Sequence, residues 1–377
     1  FQIIIEKNAI LSIKSSVISN AGTDQEPGII IRANNTKIVN SILNNFSGIL
    51  IENSCNNLIK DNNISGPNYG ITLEESNQNV IINNTINAPL GITLNRSSYN
   101  NITLNNFSAG GILVLGDFLH FNNTIENNLV QNTPITYIYN QSNMFINTSG
   151  QIIIACSKNI TVFNSSIKTP TLVAIELAFS QNISIYNSSI KNSKYGVLAI
   201  SVTNGTIYGN NISDCDYGIK IINSSDILIH VNRVLNNSYG LYISDSVNTI
   251  TYVNNFINNT ISAYDDSANF FNYSELGNYW SNYIAPDDDS NGILDEPYSI
   301  DSDSIDYFPL ANPFQKINDW DNDGLINSDE YTNNTSPVDP DSDNDEMPDG
   351  WEVLYGLDPT NASDADIDND DDNLTNK

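Results

Sequence analysis

Positive charge is scarce: 14 Lys and Arg stand against 44 Asp and Glu in 377 residues, a formal −30. Residues 1–260 hold 14 acids and 12 bases, and residues 261–377 hold 30 acids and 2 bases. Without clustered cations the chain cannot displace counterions from nucleic acid or anionic lipid, which excludes both as partners. No apolar run approaches the ~18 residues that a transmembrane helix needs. Three cysteines, Cys55, Cys156 and Cys215, form neither a disulfide framework nor a metal-ligand spacing and read as small hydrophobes. There is no initiating Met at Phe1 and no signal-peptide pattern, so a targeting segment is expected to have been removed or to lie outside this sequence.

Asparagine is what the chain has in excess: it outnumbers Asp and Glu together, and three quarters of it lies before residue 261. It recurs with a period of 22, as Asn35, Asn57, Asn79 and Asn101, and as Asn40, Asn62, Asn84 and Asn106. Ile42, Ile64 and Ile86 keep the same period, as do Ser54, Ser76 and Ser98. A second block repeats it in Asn182, Asn204, Asp226 and Asn248, and in Tyr195, Tyr217 and Tyr239, each before a glycine. Phase is lost over about 109–158, which suggests altered rungs or an inserted loop. Each repeat holds two or three short β-branched stretches bounded by Asn, Ser and Gly, and none has room for a helix. Short strands coiling in register make an all-β, right-handed parallel β-helix of ~22-residue rungs. Rungs ~4.8 Å apart would stack like on like in one rod, with aliphatics inside and asparagines laddered at corners that need the left-handed conformation.

Rungs such as Tyr217-Gly-Ile to Ile227 resemble the right-handed β-helix repeats of carbohydrate-binding and sugar-hydrolase-like proteins. The segment Gly277-Asn-Tyr-Trp280-Ser-Asn-Tyr283, followed by Asp287 to Pro297-Tyr298, is similar to the end of the copper-associated β-helix family linked to nitrous oxide reductase maturation. Relatives of that type abound among archaeal surface proteins. The resemblance covers residues 1–315 and implies fold more than activity. Copper chemistry is not expected here, because two His, two Met and three scattered Cys cannot build a copper site. Residues 264–316, dense in aromatics, are expected to cap the β-helix of residues 1–263. The opposite end, Phe1-Gln-Ile-Ile-Ile5, shows no such cover, so further rungs, another domain or a neighbouring molecule is expected there.

The acidic segment 317–377 carries regularly spaced oxygen ligands. Asp319, Asp321, Asp323, the Leu325 carbonyl, Asn327 and Glu330 fill positions 1, 3, 5, 7, 9 and 12 of a twelve-residue loop that wraps Ca²⁺, with Gly324 at position 6. Asp341, Asp343, Asp345, the Met347 carbonyl, Asp349 and Glu352 repeat it, with Glu346 in the glycine's place. A third copy begins at Asp368, Asp370 and Asp372, and a looser one lies at Asp287, Asp289, Asn291 and Asp295. No amphipathic helix is expected beside the loops, and Pro337 and Pro340 follow the first, which argues against EF-hands and dockerin modules. The run Asp341 to Pro359 looks instead like thrombospondin type 3-like calcium repeats, found in secreted and surface proteins. That resemblance implies structural Ca²⁺ and life outside the cell, where calcium is millimolar.

Twenty-four Asn-x-Ser/Thr sequons occur. Asn187, Asn211 and Asn236 are the best candidates for N-glycans, whereas Asn182 reads as an interior ladder residue. A β-helix enzyme needs acids converging with a base on adjacent rungs. Asp214 and Asp216 align with Asn236 and Ser238, Asp226 is a ladder member, Arg233 has no stacked acid, and His120 falls in the irregular middle. No catalytic residue is assigned. The outward column Tyr186, Tyr208, His230 and Tyr252 could bind sugar rings or a partner, or stack on itself. The expected function is that of an extracellular, calcium-stabilised, glycosylated structural protein of the cell surface. It would associate with copies of itself or other surface proteins in a filament, appendage or surface layer. The alternative is a polysaccharide-binding or polysaccharide-cleaving protein, or an adhesin.

Overall fold

The computed structural model describes residues 1–23, 26–315, 319, 321–333, 335–337, 339–367 and 375–376. It divides into two compact units: Phe1–Ile284 with Glu296–Pro309, and Ala285–Asp295 with Leu310–Lys377. The boundary therefore falls inside the segment expected to be the cap.

The first unit is a parallel β-helix of thirteen coils, as the period requires, but the coils form two stacks and not one rod. The first stack has sheets of six, six and seven strands and runs from Ile3 to about Pro134. The second, from Thr136 to Trp280, has sheets of seven, six and six. Successive coils stay within a residue or two of the repeat period over most of the length, as Ile71 to Ile92 to Ile112 and Ile152 to Ile175 show. Buried aliphatics fill each interior, Ile31, Ile51, Leu73 and Leu94 in the first and Ile185, Ile207 and Ile229 in the second.

Asparagine does the corner work in two ways. Exposed or half-exposed corners put Asn159, Asn182, Asn204, Asp226 and Asn248 at φ of 54–57°, a region closed to most residues but tolerated by Asn and Asp. These residues form an outer ladder, so Asn182 is not interior as expected; its amide donates to Asn159 at 2.9 Å and accepts from Asn204 at 2.8 Å. The buried ladders are Asn57–Asn79–Asn100–Asn123, Asn62–Asn84–Asn105–Asn128 and Asn210–Asn232–Asn254–Asn278. In each, the backbone N–H of one rung donates to the side-chain oxygen of the next, as Asn84 does to Asn105 at 3.0 Å. The side-chain nitrogen reaches back to the preceding rung, as from Asn84 to the Ile59 carbonyl at 2.9 Å. The strictly periodic columns are corrected at both ends: rungs one residue shorter put Asn100 in line where Asn101 was expected, and Ser97 where Ser98 was. Ile42 pairs with Asn63 and is 42% exposed, while Leu43 takes the core place above Ile64. The Tyr-Gly repeat has a steric reason, since a Cβ on Gly196, Gly218 or Gly240 would meet the next rung's carbonyl oxygen at 2.5–2.7 Å.

The segment that loses phase is the joint. Among the described residues no named strand of the first stack pairs with one of the second. Ile153, Ala155, Tyr137 and Ala178, on the outward face of the second stack's opening sheet, close the first stack's core, while Ile152 and Ile154 face their own. The end strand of one sheet of the first stack, Ile112–Leu115, would leave its edge unpaired. Gln151 takes up both the N–H and the carbonyl of Ile112, and the Glu176 carboxyl accepts from the Val114 N–H at 3.3 Å. Glu176 is fully buried beside Tyr137, and its other oxygen has no partner. Burial pushes its carboxyl up to about 8 against the weaker opposing pull of the Val114 N–H.

Asn232→Ala removes an acceptor for two donors of Asn210 and two carbonyl bonds, and should cost about 2–4 kcal/mol in denaturant unfolding. The outer-ladder change Asn204→Ala forfeits only exposed amide bonds and should cost less, about 1–2 kcal/mol, most of it from alanine's strain at φ 56°. A folded pKa above the unfolded one means that Glu176 contributes fully below about 4.5 and loses its contribution as pH rises through about 8. Glu176→Gln should therefore flatten the thermal stability profile between those values; parallel profiles of the two proteins would contradict the assignment.

Candidate cation-binding loops

The second unit has little apolar core; Leu325, Met347 and Ala365 are among its few buried hydrophobics. Its organisation comes from Asp side chains clasping backbone N–H groups. In the first loop Asp319 accepts from Gly324 N–H at 3.1 Å and Asp323 from Leu325 N–H at 2.7 Å. In the second, Asp341 accepts from Glu346 N–H at 2.8 Å and Asp345 from Met347 N–H at 2.8 Å. The looser segment does the same, Asp287 accepting from Gly292 N–H at 3.2 Å. All three place positions 4 and 6 at positive φ: Ser290 and Gly292, Asn322 and Gly324, Asn344 and Glu346. Glu346 thus occupies a place that favours glycine, at a cost of about 1–2 kcal/mol.

Each of the two complete loops runs directly into a short helix, α1 (Asn327–Asn333) and α2 (Asp349–Tyr355). That corrects the expectation of loops without helices, and with it the ground for setting EF-hand-like and dockerin-like arrangements aside. The helices were hidden because elements this short show no apolar periodicity. Their acidic first turns, Asp329–Glu330 and Asp349–Glu352, suit a helix N-terminus.

The clasps leave the remaining carboxylate oxygens facing inward. Ligand atoms of Asp319, Asp321 and Asp323 lie within 4.8 Å of one another, as do those of Asp341, Asp343 and Asp345. Glu330 and Glu352 are fully buried with all four oxygens unpartnered, and one oxygen each of Asp319, Asp321, Asp343 and Asp345 is in the same condition. Carboxylates this close repel by about 3–4 kcal/mol per pair at an effective dielectric of ~20. Burial, then neighbouring acids, push Asp321 up to about 7, Glu330 to about 9 and Glu352 to about 8. The only bases after residue 260 are Lys316 and Lys377, so the chain has almost no counter-charge of its own here.

Other expected ligands are placed differently. Asp349 turns both oxygens to Ser342, at 2.8 and 2.6 Å, and Asn327 donates to the Gln315 carbonyl. Asp287 keeps one buried oxygen without a partner, but among the described residues Asp287, Asp289 and Asp295 form no group of three within 4.8 Å. Asp368, Asp370 and Asp372 lie outside the described residues. One acid that loop spacing does not single out, Asp364, comes within 4.8 Å of Asp345 and Glu352.

On the β-helix, Phe163, Tyr186, Tyr208, His230 and Tyr252 stack at 5.2–5.9 Å and 3–25°. Their ring faces are taken up by one another, so the column has edges and not faces to offer a sugar. Asn187, Asn211 and Asn236 are exposed. Asp226 accepts from Asn248 at 3.1 Å as a ladder member. Asp214 and Asp216 are exposed, and His120 Nδ1 accepts from Asp117 N–H beside a short helical turn.

A model of the family described as "Periplasmic copper-binding protein (NosD)" matches residues 2–153 and 120–285. No curated protein sequence matches the chain. Among solved structures, the periplasmic alginate epimerase AlgG is similar at 15% identity and a TM-score of 0.31, over 65% of each chain. This chain thus spans 65% of that epimerase's length. The mannuronan C-5 epimerase AlgE4 A-module of Azotobacter vinelandii is similar at 12% identity and a TM-score of 0.28, over 67% of this chain and 86% of that one.

The residues present do not fit copper. Among the described residues, neither histidine and none of the three cysteines belongs to a group of three potential ligands. His230 lies between two tyrosine rings, and burial pushes the Cys156 and Cys215 thiols up to about 11, away from the thiolate a soft metal needs. The groups that do converge are carboxylates, which suit hard cations. Titration of the protein with Cu(I) in excess calcium should show no stoichiometric uptake; uptake abolished by His230→Gln would overturn this assignment.

Proposed function

The chain belongs to the NosD family, and on that premise we propose that it is a β-helical scaffold working outside the cytoplasm, with a C-terminal module held together by calcium. One observation carries the calcium reading: buried, unpartnered carboxylate oxygens at positions 1, 3 and 12 of the first loop and 3, 5 and 12 of the second, in loops whose backbone clasps are already formed. Hard all-oxygen sites of irregular geometry suit Ca²⁺ better than Mg²⁺, which demands near-ideal octahedra. Sites assembled on exposed loops with little core behind them suit a compartment rich in calcium, and the ion supplies the folding free energy that the core does not. Among the described residues no helix is long and apolar enough to cross a membrane. The scaffold would serve as a structural subunit of the cell envelope or surface, in a filament, appendage or layer. N-glycans on Asn187, Asn211 and Asn236 belong to this reading, all three being exposed sequons.

A second reading, binding of a polysaccharide, is favoured by a different feature. Equivalent places on successive rungs of the first stack line an open groove with Asn45, Ser65, Pro67, Asn87 and Pro89. A polar surface repeated rung by rung matches a polymer with a repeating unit.

Chelation decides the first reading. Removing calcium should raise the protease sensitivity of residues 319–367 at least tenfold and leave the β-sheet circular dichroism of the first unit unchanged. Equal cleavage with and without chelator would rule out the calcium-held module. Saturable binding of a polysaccharide that survives chelation would promote the second reading.

A further inference from the structure

We infer that Asp364, which lies outside both twelve-residue loops, is a cation ligand that makes the second loop's site stronger than the first. The inference rests on the calcium reading above and extends it to a residue that loop spacing does not mark. Asp364 follows α2 in the turn Asn361–Asp366 and is 7% exposed. One of its oxygens accepts from the Asp358 N–H at 2.8 Å, which fixes the carboxylate's direction. The other is buried without a partner. Its ligand atom lies within 4.8 Å of those of Asp345 and Glu352, which are 6% and 0% exposed.

Three carboxylates therefore meet at this place, and four of their six oxygens have no partner: one of Asp345, both of Glu352 and one of Asp364. Among the described residues no donor satisfies them, whereas the buried carboxylate that closes the β-helix is well supplied. Asp306 receives N–H groups from Asn278, Trp280 and Phe308. A cluster of oxygen ligands without such donors suits a hard divalent cation such as Ca²⁺.

The two loops differ in this respect. One repeat period before Asp364 the chain has Ser342, whose hydroxyl and N–H are engaged with Asp349. Among the described residues Glu330 joins no group of three, and the Asp349 carboxylate that, behind burial, helps raise its pKa has both oxygens turned to Ser342. Ligand charge is a main determinant of calcium affinity, so the second loop should fill at lower calcium. Because Asp364 is anchored to Asp358 and to Asn376, through the Asp364 carbonyl at 2.7 Å, a bound ion also ties the segment after α2 to the loop before it.

Hydrogen exchange of the full chain across a calcium titration reads both loops separately. In the wild type, protection of residues 349–367 should appear at lower calcium than that of 319–333. Asp364→Asn keeps an acceptor for the Asp358 N–H and removes one charge. It should move the midpoint for 349–367 at least tenfold higher and that for 319–333 less than twofold, with the β-helix unchanged. Glu352→Gln should move the same segment, as a loop ligand must. An unmoved midpoint for 349–367 in Asp364→Asn, or an equal shift of both segments, overturns the inference and leaves the calcium reading standing. Failure of either segment to respond to calcium in the wild type overturns both.

Discussion

Everything in the first unit depends on a polarised hydrogen bond from one coil to the next. A corner N–H points along the helix axis and must find an acceptor, and an Asn or Ser at the same corner of the following coil supplies it. The arrangement repeats only if coils superpose, so the polar ladder and the aliphatic interior enforce one register. A corner Asn changed to an apolar residue would leave a buried donor unpaired on one side and break the amide chain on the other. This is why asparagine outnumbers every charged residue type in the first 260 positions.

A polarised ladder also has to stop. In the second stack the last amide, Asn278, has donors and no further coil, and the Asp306 carboxylate receives both its backbone and side-chain nitrogens, at 2.7 and 3.4 Å. Asp265 closes a neighbouring column in the same way, accepting from Asn269 and from the Ser304 hydroxyl. Trp280, stacked on Phe256 at 4.6 Å and Tyr298 at 4.5 Å, seals the aliphatic core beside them. The first stack ends differently, against the outer face of the second, where Gln151 and Glu176 supply the bonds that a further strand would have made. In both places acidic or amide side chains substitute for missing backbone, the general remedy for an exposed sheet edge.

Much of this is legible in the sequence because a stacked coil writes its geometry as a period. The strands, the corner asparagines, the tyrosine-glycine steps and the loop ligands all recur at nearly the same interval. What the period hides is its own variation. A coil shortened by a single position shifts the ladder from Asn101 to Asn100 without changing composition, and the joint near residue 135 looks like noise because two registers meet there. Glu176 resembles any surface acid until Ile112–Leu115 is seen against it. Asp364 is one acid among many in its neighbourhood, and only the folding back of the turn after α2 distinguishes it. The two helices escaped because two turns are too few for amphipathic periodicity.

The same residue type then has opposite meanings in the two units, and hydrogen-bond supply separates them. Asp306 and Asp265 are buried among donors and complete a structure that closes on its own. Glu330, Glu352 and Asp364 are buried with oxygens that no donor reaches among the described residues and only sparse apolar packing nearby to offset that cost. A buried carboxylate without a donor is too costly to persist unless it is protonated or bound to a cation. The acids at positions 1 and 5 clasp the loop backbone, and on the calcium reading the oxygens left over at positions 1, 3, 5 and 12 of the two loops serve coordination. On the calcium reading, the β-helix is stable by internal pairing, whereas the loop module would be stable only as part of an ion complex, with calcium level the variable that governs it.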